Sequence, residues 1–226
     1  MPPCLAPFRA ADHVLQSLHD PPAEWSEEQQ LAIVEFFRIT HEYRERAKVE
    51  STPVYIRGCD KQKLIRVFGR IFFCATLQDV EYRPRTTLLS KFGNYGQTWN
   101  SEETGNVLIE IDTSIPLHST SNLPCVLSLL LHECTHAYFF SECCYSLCGS
   151  ERCAEIYHAS CGALTHGPAW QILAHTVERK ADFVLGMHFD LRRGDAAAQQ
   201  TREEEDLGDP LLDCLFGDAA KHRIRG

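Results

Sequence analysis

The chain has 226 residues, 44% hydrophobic and 23% charged, with a formal net charge of -9, which are the proportions of one ordinary globular domain. No window approaches the uninterrupted apolar length that crosses a bilayer, and the start, MPPCLAPFRAADH, lacks the basic and apolar regions of a signal peptide, so a cytoplasmic or nuclear location is expected. Eleven cysteines, an odd number without a secretory signal, argue against a disulfide framework and for reduced thiols.

Taken in chain order, Ser26-Glu27-Glu28-Gln29 reads as a capping box, and LAIVEFFRITHEYRERAKVE repeats apolar residues at helical spacing until Pro53. A second helix is expected from about Lys61 through Phe73, because Leu64, Val67, Phe68, Ile71 and Phe72 share one face. Strand character follows in DVEYRP, TTLLSKF and GNVLIEID, separated by Pro84 and by the turn-like GNYGQ, so a small sheet is expected. The last of these could lie at a cleft edge, where it would pair with an extended peptide, or inside the sheet. From Ser121 or Asn122 a further helix runs through LLLHECTHAY, and another starts after Gly167-Pro168. The fold class is therefore α+β. Residues 1–59 read as an N-terminal helical segment packing on the core, 60–190 as the main domain, and 191–226 as an acidic, flexible tail with a short apolar segment, PLLDCLF.

Charge is unevenly spread. Residues 38–91 hold 12 Lys and Arg against 6 Asp and Glu, which leaves the remainder strongly acidic. A basic half could face an anionic partner such as nucleic acid, but Arg44, Arg46 and Lys48 follow a polar helical pattern without interleaved aromatics, so solvated helix faces are the simpler reading.

The chemistry concentrates in His132-Glu133-Cys134-Thr135-His136. Burying imidazoles and a carboxyl group among leucines is costly unless each finds a partner, and a metal ion is one that would serve all of them. In a helix His132 and His136 lie within about 40° of one another and can reach one ion, while Glu133 projects about 100° away, near the ion but free to hold water. Zn2+ suits this set: with three protein ligands it keeps a position for water, lowers that water's pKa toward about 7 and polarises a carbonyl, while the glutamate moves the proton. Downstream candidates for the third ligand are Glu151, Glu155, His158, His166 and His175. His166 is favoured because Gly167 lets the backbone come close and Pro168 starts a helix, holding the imidazole on a constrained turn. Glu155, nineteen residues after His136, is the alternative.

LLHECTHAYFF followed by HGPAWQ resembles the SprT-like zinc metallopeptidase domain, whose members pair a helical His-Glu-x-x-His-Ala with a later His-Gly and an aromatic residue. FGRIFFCATLQDVEYRP and YGQTWNSEETGNVLIEIDTSIPL are similar to the segments that lead to its active-site helix. The resemblance spans roughly residues 60–185 and implies a zincin-like fold, His132, His136 and His166 as zinc ligands, Glu133 as the catalytic acid/base, and a protein or peptide substrate. In the Spartan branch the substrates are proteins crosslinked to DNA. This chain departs from the pattern in two ways: 29 residues separate His136 from His166, and no Cys-x-x-Cys pairs follow to build the zinc ribbon of many relatives. The long interval holds Cys143, Cys144, Cys148, Cys153 and Cys161, again without a Cys-x-x-Cys pair, so one zinc per chain is expected. The competing expectation is a zinc-stabilised binding or adaptor module without turnover. Trp170 and Tyr138 read as core aromatics, and His175 as a histidine outside the site.

Overall fold

The computed structural model describes residues 5–49, 54–85, 95–101, 103–112, 122–144, 150–162 and 165–207. They form helices α1 (Pro7–Ser17), α2 (Glu27–Val49) and α3 (Gly58–Phe72), strands β1 (Glu81–Arg85), β2 (Gly96–Asn100) and β3 (Val107–Asp112), then helices α4 (Asn122–Glu142), α5 (Glu151–Cys161), α6 (Pro168–Leu185) and α7 (Arg193–Leu207). The architecture is mixed α+β, mostly helical, with a small sheet. Among the described residues no helix is long and apolar enough to cross a membrane.

The capping box forms as expected. Ser26 Oγ accepts the Gln29 N–H at 3.2 Å and Gln29 Oε1 accepts the Ser26 N–H at 3.1 Å, while Gln29 Nε2 also donates to the Ile71 carbonyl at 3.1 Å. One side chain thus starts α2 and ties it to the end of α3. Below this join, Phe36 of α2 and Phe68 of α3 meet Phe189, which follows α6, at ring-centroid distances of 5.9, 6.3 and 6.5 Å. Phe73 stacks on Tyr138 of α4 at 5.5 Å, and the Tyr138 hydroxyl donates to the Ala10 carbonyl of α1 at 2.9 Å. Ala10, Ala11 and Val14 are buried, so α1 is packed into the core.

The strand order is β1-β3-β2, with β1 parallel and β2 antiparallel to β3. β3 is therefore the internal strand of the three, and all of its residues except Glu110 are buried. Glu110 is partnered by Arg85 at 3.1 Å from β1 and by Gln97 at 3.4 Å from β2. β2 is not among the expected strands: its Gly96 and Gln97 fall in the turn-like GNYGQ, yet pairing with β3 in the register Thr98↔Ile109 holds it extended. The stretch TTLLSKF lies outside the described residues.

Two regions expected to be irregular are helical. Within the cysteine-rich interval, Glu151–Cys161 forms α5, with Tyr157, Ser160 and Cys161 buried. The tail expected from residue 191 is helical over Arg193–Leu207. Its start is rich in strong helix formers, Ala196-Ala197-Ala198-Gln199-Gln200, and Leu191, Ala196 and Gln200 are buried against the body of the molecule. PLLDCLF lies outside the described residues.

Candidate metal centre

Helix α4 is buried on nearly every side. Leu127, Leu130, Leu131, Cys134 and Tyr138 are fully buried, and so are Glu133 (4% exposed) and His136 (6%) on its other flank. The Thr135 hydroxyl is satisfied within the helix by the Leu131 carbonyl at 3.0 Å. That leaves the two histidines and the glutamate to find partners elsewhere.

The third histidine comes from the turn before α6. Pro168 opens that helix and Gly167 is its N-cap. A Cβ on Gly167 would lie 2.5 Å from the carbonyl carbon of Cys161, and the Gly167 N–H donates to the Cys161 carbonyl at 2.5 Å. Only glycine permits this close approach, which folds the turn onto the end of α5. The cysteine-rich interval therefore supplies the seat for His166. Two glutamines clamp its backbone: Gln171 Nε2 donates to the His166 carbonyl at 3.2 Å, and Gln200 Oε1 of α7 accepts the His166 N–H at 3.4 Å.

His132, His136 and His166 converge. Their Nε2 atoms are 3.1 Å (His132 to His136), 3.0 Å (His136 to His166) and 3.2 Å (His132 to His166) apart. Nitrogens bound to one tetrahedral zinc at its usual bond length are roughly 3.3 Å apart, so the spacing fits a shared ion. The proton positions support the same reading. His132 Nδ1 is 2.8 Å from the Leu191 carbonyl, an acceptor only, so the ring carries its proton on Nδ1 and presents a bare lone pair at Nε2. His136 Nδ1 meets the Thr165 hydroxyl at 3.1 Å. A cation shared by the three Nε2 atoms would take the lone pair that His132 presents there.

Burial keeps the imidazoles neutral, the state a ligand needs. It lowers His132 to about 4 and His166 to about 3 from the ordinary 6.5, and holds His136 well below that value; the Arg192 charge adds to the effect at His132, and the neighbouring histidines add to it at His136 and His166. The Trp170 ring, fully buried, walls the cluster at centroid distances of 4.9, 5.2 and 4.8 Å from His132, His136 and His166.

Glu133 leans toward β2. Thr98 Oγ1 donates to its Oε2 at 2.7 Å, and a Cβ on Gly96 would stand 2.7 Å from its Oε1. Burial raises the Glu133 carboxyl to about 7, against the opposing pull of the Thr98 hydrogen bond.

Of the other expected candidates, Glu151, Glu155, His158 and His175 are exposed and do not join the cluster. Cys143 and Cys161 are buried, which pushes both thiols up and keeps them protonated; Cys148 lies outside the described residues. Sequence reasoning missed Thr98, Gly96, Gln171, Gln200 and the Leu191 carbonyl. Only Gly96, a glycine in a strand-length run, carried a local signal of close approach. Comparison with family models, curated proteins and solved structures returns no match.

Two outcomes follow from this geometry. His166→Ala should release bound zinc at low micromolar free metal whereas Glu155→Ala should retain it, and wild type should hold one equivalent, all read by metal analysis after dialysis. The second concerns acid. In the metal-free chain the folded imidazoles stay neutral while those of the unfolded chain gain protons below about 6.5, so unfolding takes up protons and stability falls as pH drops from about 6.5 toward 4. Glu133 acts in the opposite sense, being protonated when folded and ionised when unfolded between about 4.5 and 7. Three imidazoles outweigh one carboxyl, so the urea midpoint of the chelator-treated protein should be lower at pH 5 than at pH 7.

Proposed function

We propose that this chain is a zinc-dependent metalloendopeptidase with a zincin-like, SprT-like domain, hydrolysing protein or peptide substrates. The observation that carries the reading is the convergence of three neutral imidazoles beside a buried carboxyl group on the same helix. Three imidazoles alone suit several divalent ions. Zinc fits the all-nitrogen, closely spaced set, and three protein ligands leave the open position that separates catalytic from structural zinc sites.

Bound there, zinc supplies Lewis-acid polarisation of a substrate carbonyl and an acidified water. The chain's own part falls to Glu133. Its Oε2 is occupied by the Thr98 hydroxyl, which leaves Oε1 to accept a proton from the attacking water and return it to the leaving amine nitrogen. Burial brings the carboxyl close to neutral pH, where one group can both take and give a proton. The absence of a side chain on Gly96 lets the carboxyl lie against β2 in this position. His132, His136 and His166 bind and orient the ion, and Trp170 closes one wall against water.

A zinc-stabilised adaptor would need the three histidines but no proton carrier beside them, so Glu133 separates the two readings. Glu133→Gln should keep one equivalent of zinc and lose hydrolysis of an unfolded protein substrate by about 10²–10⁴-fold, the range for removal of a general acid/base. A wild type that binds zinc and cleaves nothing, or a Gln variant as active as wild type, would sink the peptidase mechanism. Gly96→Val should behave similarly in a milder form, retaining metal while lowering turnover, because its side chain displaces the Glu133 carboxyl from its place against β2.

A further inference from the structure

The stretch between α6 and α7 has no helix or strand, yet Phe189 and Leu191 within it are fully buried. Its backbone N–H groups therefore need partners inside the protein. Three side chains supply them in succession. Asp182 Oδ1 accepts the Phe189 N–H at 2.6 Å, Ser128 Oγ accepts the Asp190 N–H at 3.0 Å, and Glu178 Oε2 accepts the Leu191 N–H at 3.2 Å. Asp182 and Glu178 belong to α6, and Ser128 to α4, one turn before His132.

Both polar atoms of Leu191 are thereby committed: its N–H to Glu178, its carbonyl to His132 Nδ1. Glu178 is itself fixed, since Arg193 Nε lies 3.2 Å from Oε2 and Arg193 Nη2 lies 3.5 Å from Oε1. The frame also reaches the other side of the cluster. Gln171 Nε2 donates to the Arg193 carbonyl at 3.3 Å as well as to that of His166. A simple loop anchor would end at the loop, whereas this one ends on the ring nitrogen that decides which way the proton of His132 lies.

We propose that Glu178 is a positioning residue of the metal centre: by holding the Leu191 amide it aims the Leu191 carbonyl at His132 Nδ1, fixing the tautomer that leaves Nε2 free for the ion. The inference rests on the reading of the three histidines as ligands. Partners in the second layer around a metal govern ring orientation and ligand basicity, and their loss costs about 10–100-fold in metal affinity. Loss of Glu178 also leaves a buried amide without its acceptor, so the Leu191 segment has no reason to keep its carbonyl on His132.

The test uses the full chain and zinc itself, with affinity read by competition against a chromophoric chelator and the His132 tautomer read by long-range proton–nitrogen NMR of the metal-free protein. Glu178→Ala should weaken zinc binding by about 10–100-fold and shift His132 away from the Nδ1–H form. Glu178→Gln, whose amide oxygen still accepts the Leu191 N–H, should retain most of the affinity. Should the alanine variant fail to fold, Glu178→Asp keeps the charge but shortens the reach, and should show the same two changes. A folded Glu178→Ala or Glu178→Asp with wild-type affinity and an unaltered tautomer overturns the proposal while leaving the metal site standing, provided His132→Ala abolishes binding. A wild type that takes up no zinc overturns the metal reading and this inference with it.

Discussion

Three imidazole nitrogens held within 3.2 Å of one another beside the buried Trp170 ring set the terms for everything around them. Neutral rings carry one proton each, and His132 has already given its proton to the Leu191 carbonyl, so the converging edges are poor in donors. Protonating the rings would place like charges together in a desolvated site: burial pushes all three toward the neutral form, with Arg192 adding to it at His132 and the other histidines at His136 and His166. On the proposed reading a cation gives the three nitrogens a common partner, and the scaffold holds them close enough to share it.

The scaffold does so by spreading the task over elements that are each rigid for unrelated reasons. α4 is fixed by apolar burial on one flank and by Ser128, Thr135 and Glu133 finding polar partners on the others. The turn bearing His166 is pressed onto the end of α5 through Gly167 and held from α6 and α7 by two glutamines. Leu191 is locked by its own buried side chain and by Glu178. Core packing thus confers ligand geometry: Phe189, wedged against Phe36 and Phe68, fixes the chain two residues before the carbonyl that orients His132.

How much of this was readable beforehand follows from the range of the interactions involved. The four-residue step between His132 and His136, the capping box at Ser26 and the Gly-Pro start of α6 are local geometry, and each is written in a handful of adjacent residues. His166 was preferred over Glu155 on the stiffness of its turn, a local property too. β2, by contrast, exists because β3 pairs with it, and its first residues, Gly96 and Gln97, belong to a stretch that reads as a turn when taken alone. α7 looks like a tail because its sequence is polar, yet Gln200 is 2% exposed and reaches the His166 backbone. No pattern within α7 encodes that contact, because the partner is 34 residues away.

The same division bears on what a short motif can transfer. His-Glu-x-x-His specifies two nitrogens and a carboxyl, but neither the tautomer of the first histidine nor the orientation of the glutamate. Those are set by Leu191 and Thr98, which are 59 and 35 residues distant from the atoms they touch. The histidines and the glutamate are positioned by separate sets of remote residues: Glu178, Leu191, Gln171 and Gln200 act on the histidines, while Thr98 and Gly96 act on Glu133. The two sets lie on opposite sides of α4 in the chain, the sheet coming before it and α6 and α7 after. A change in the C-terminal elements can therefore disturb the histidines without touching the carboxyl, and a change in β2 can misplace the carboxyl without touching the histidines. On the proposed reading, metal binding and turnover are in that sense mechanically separable.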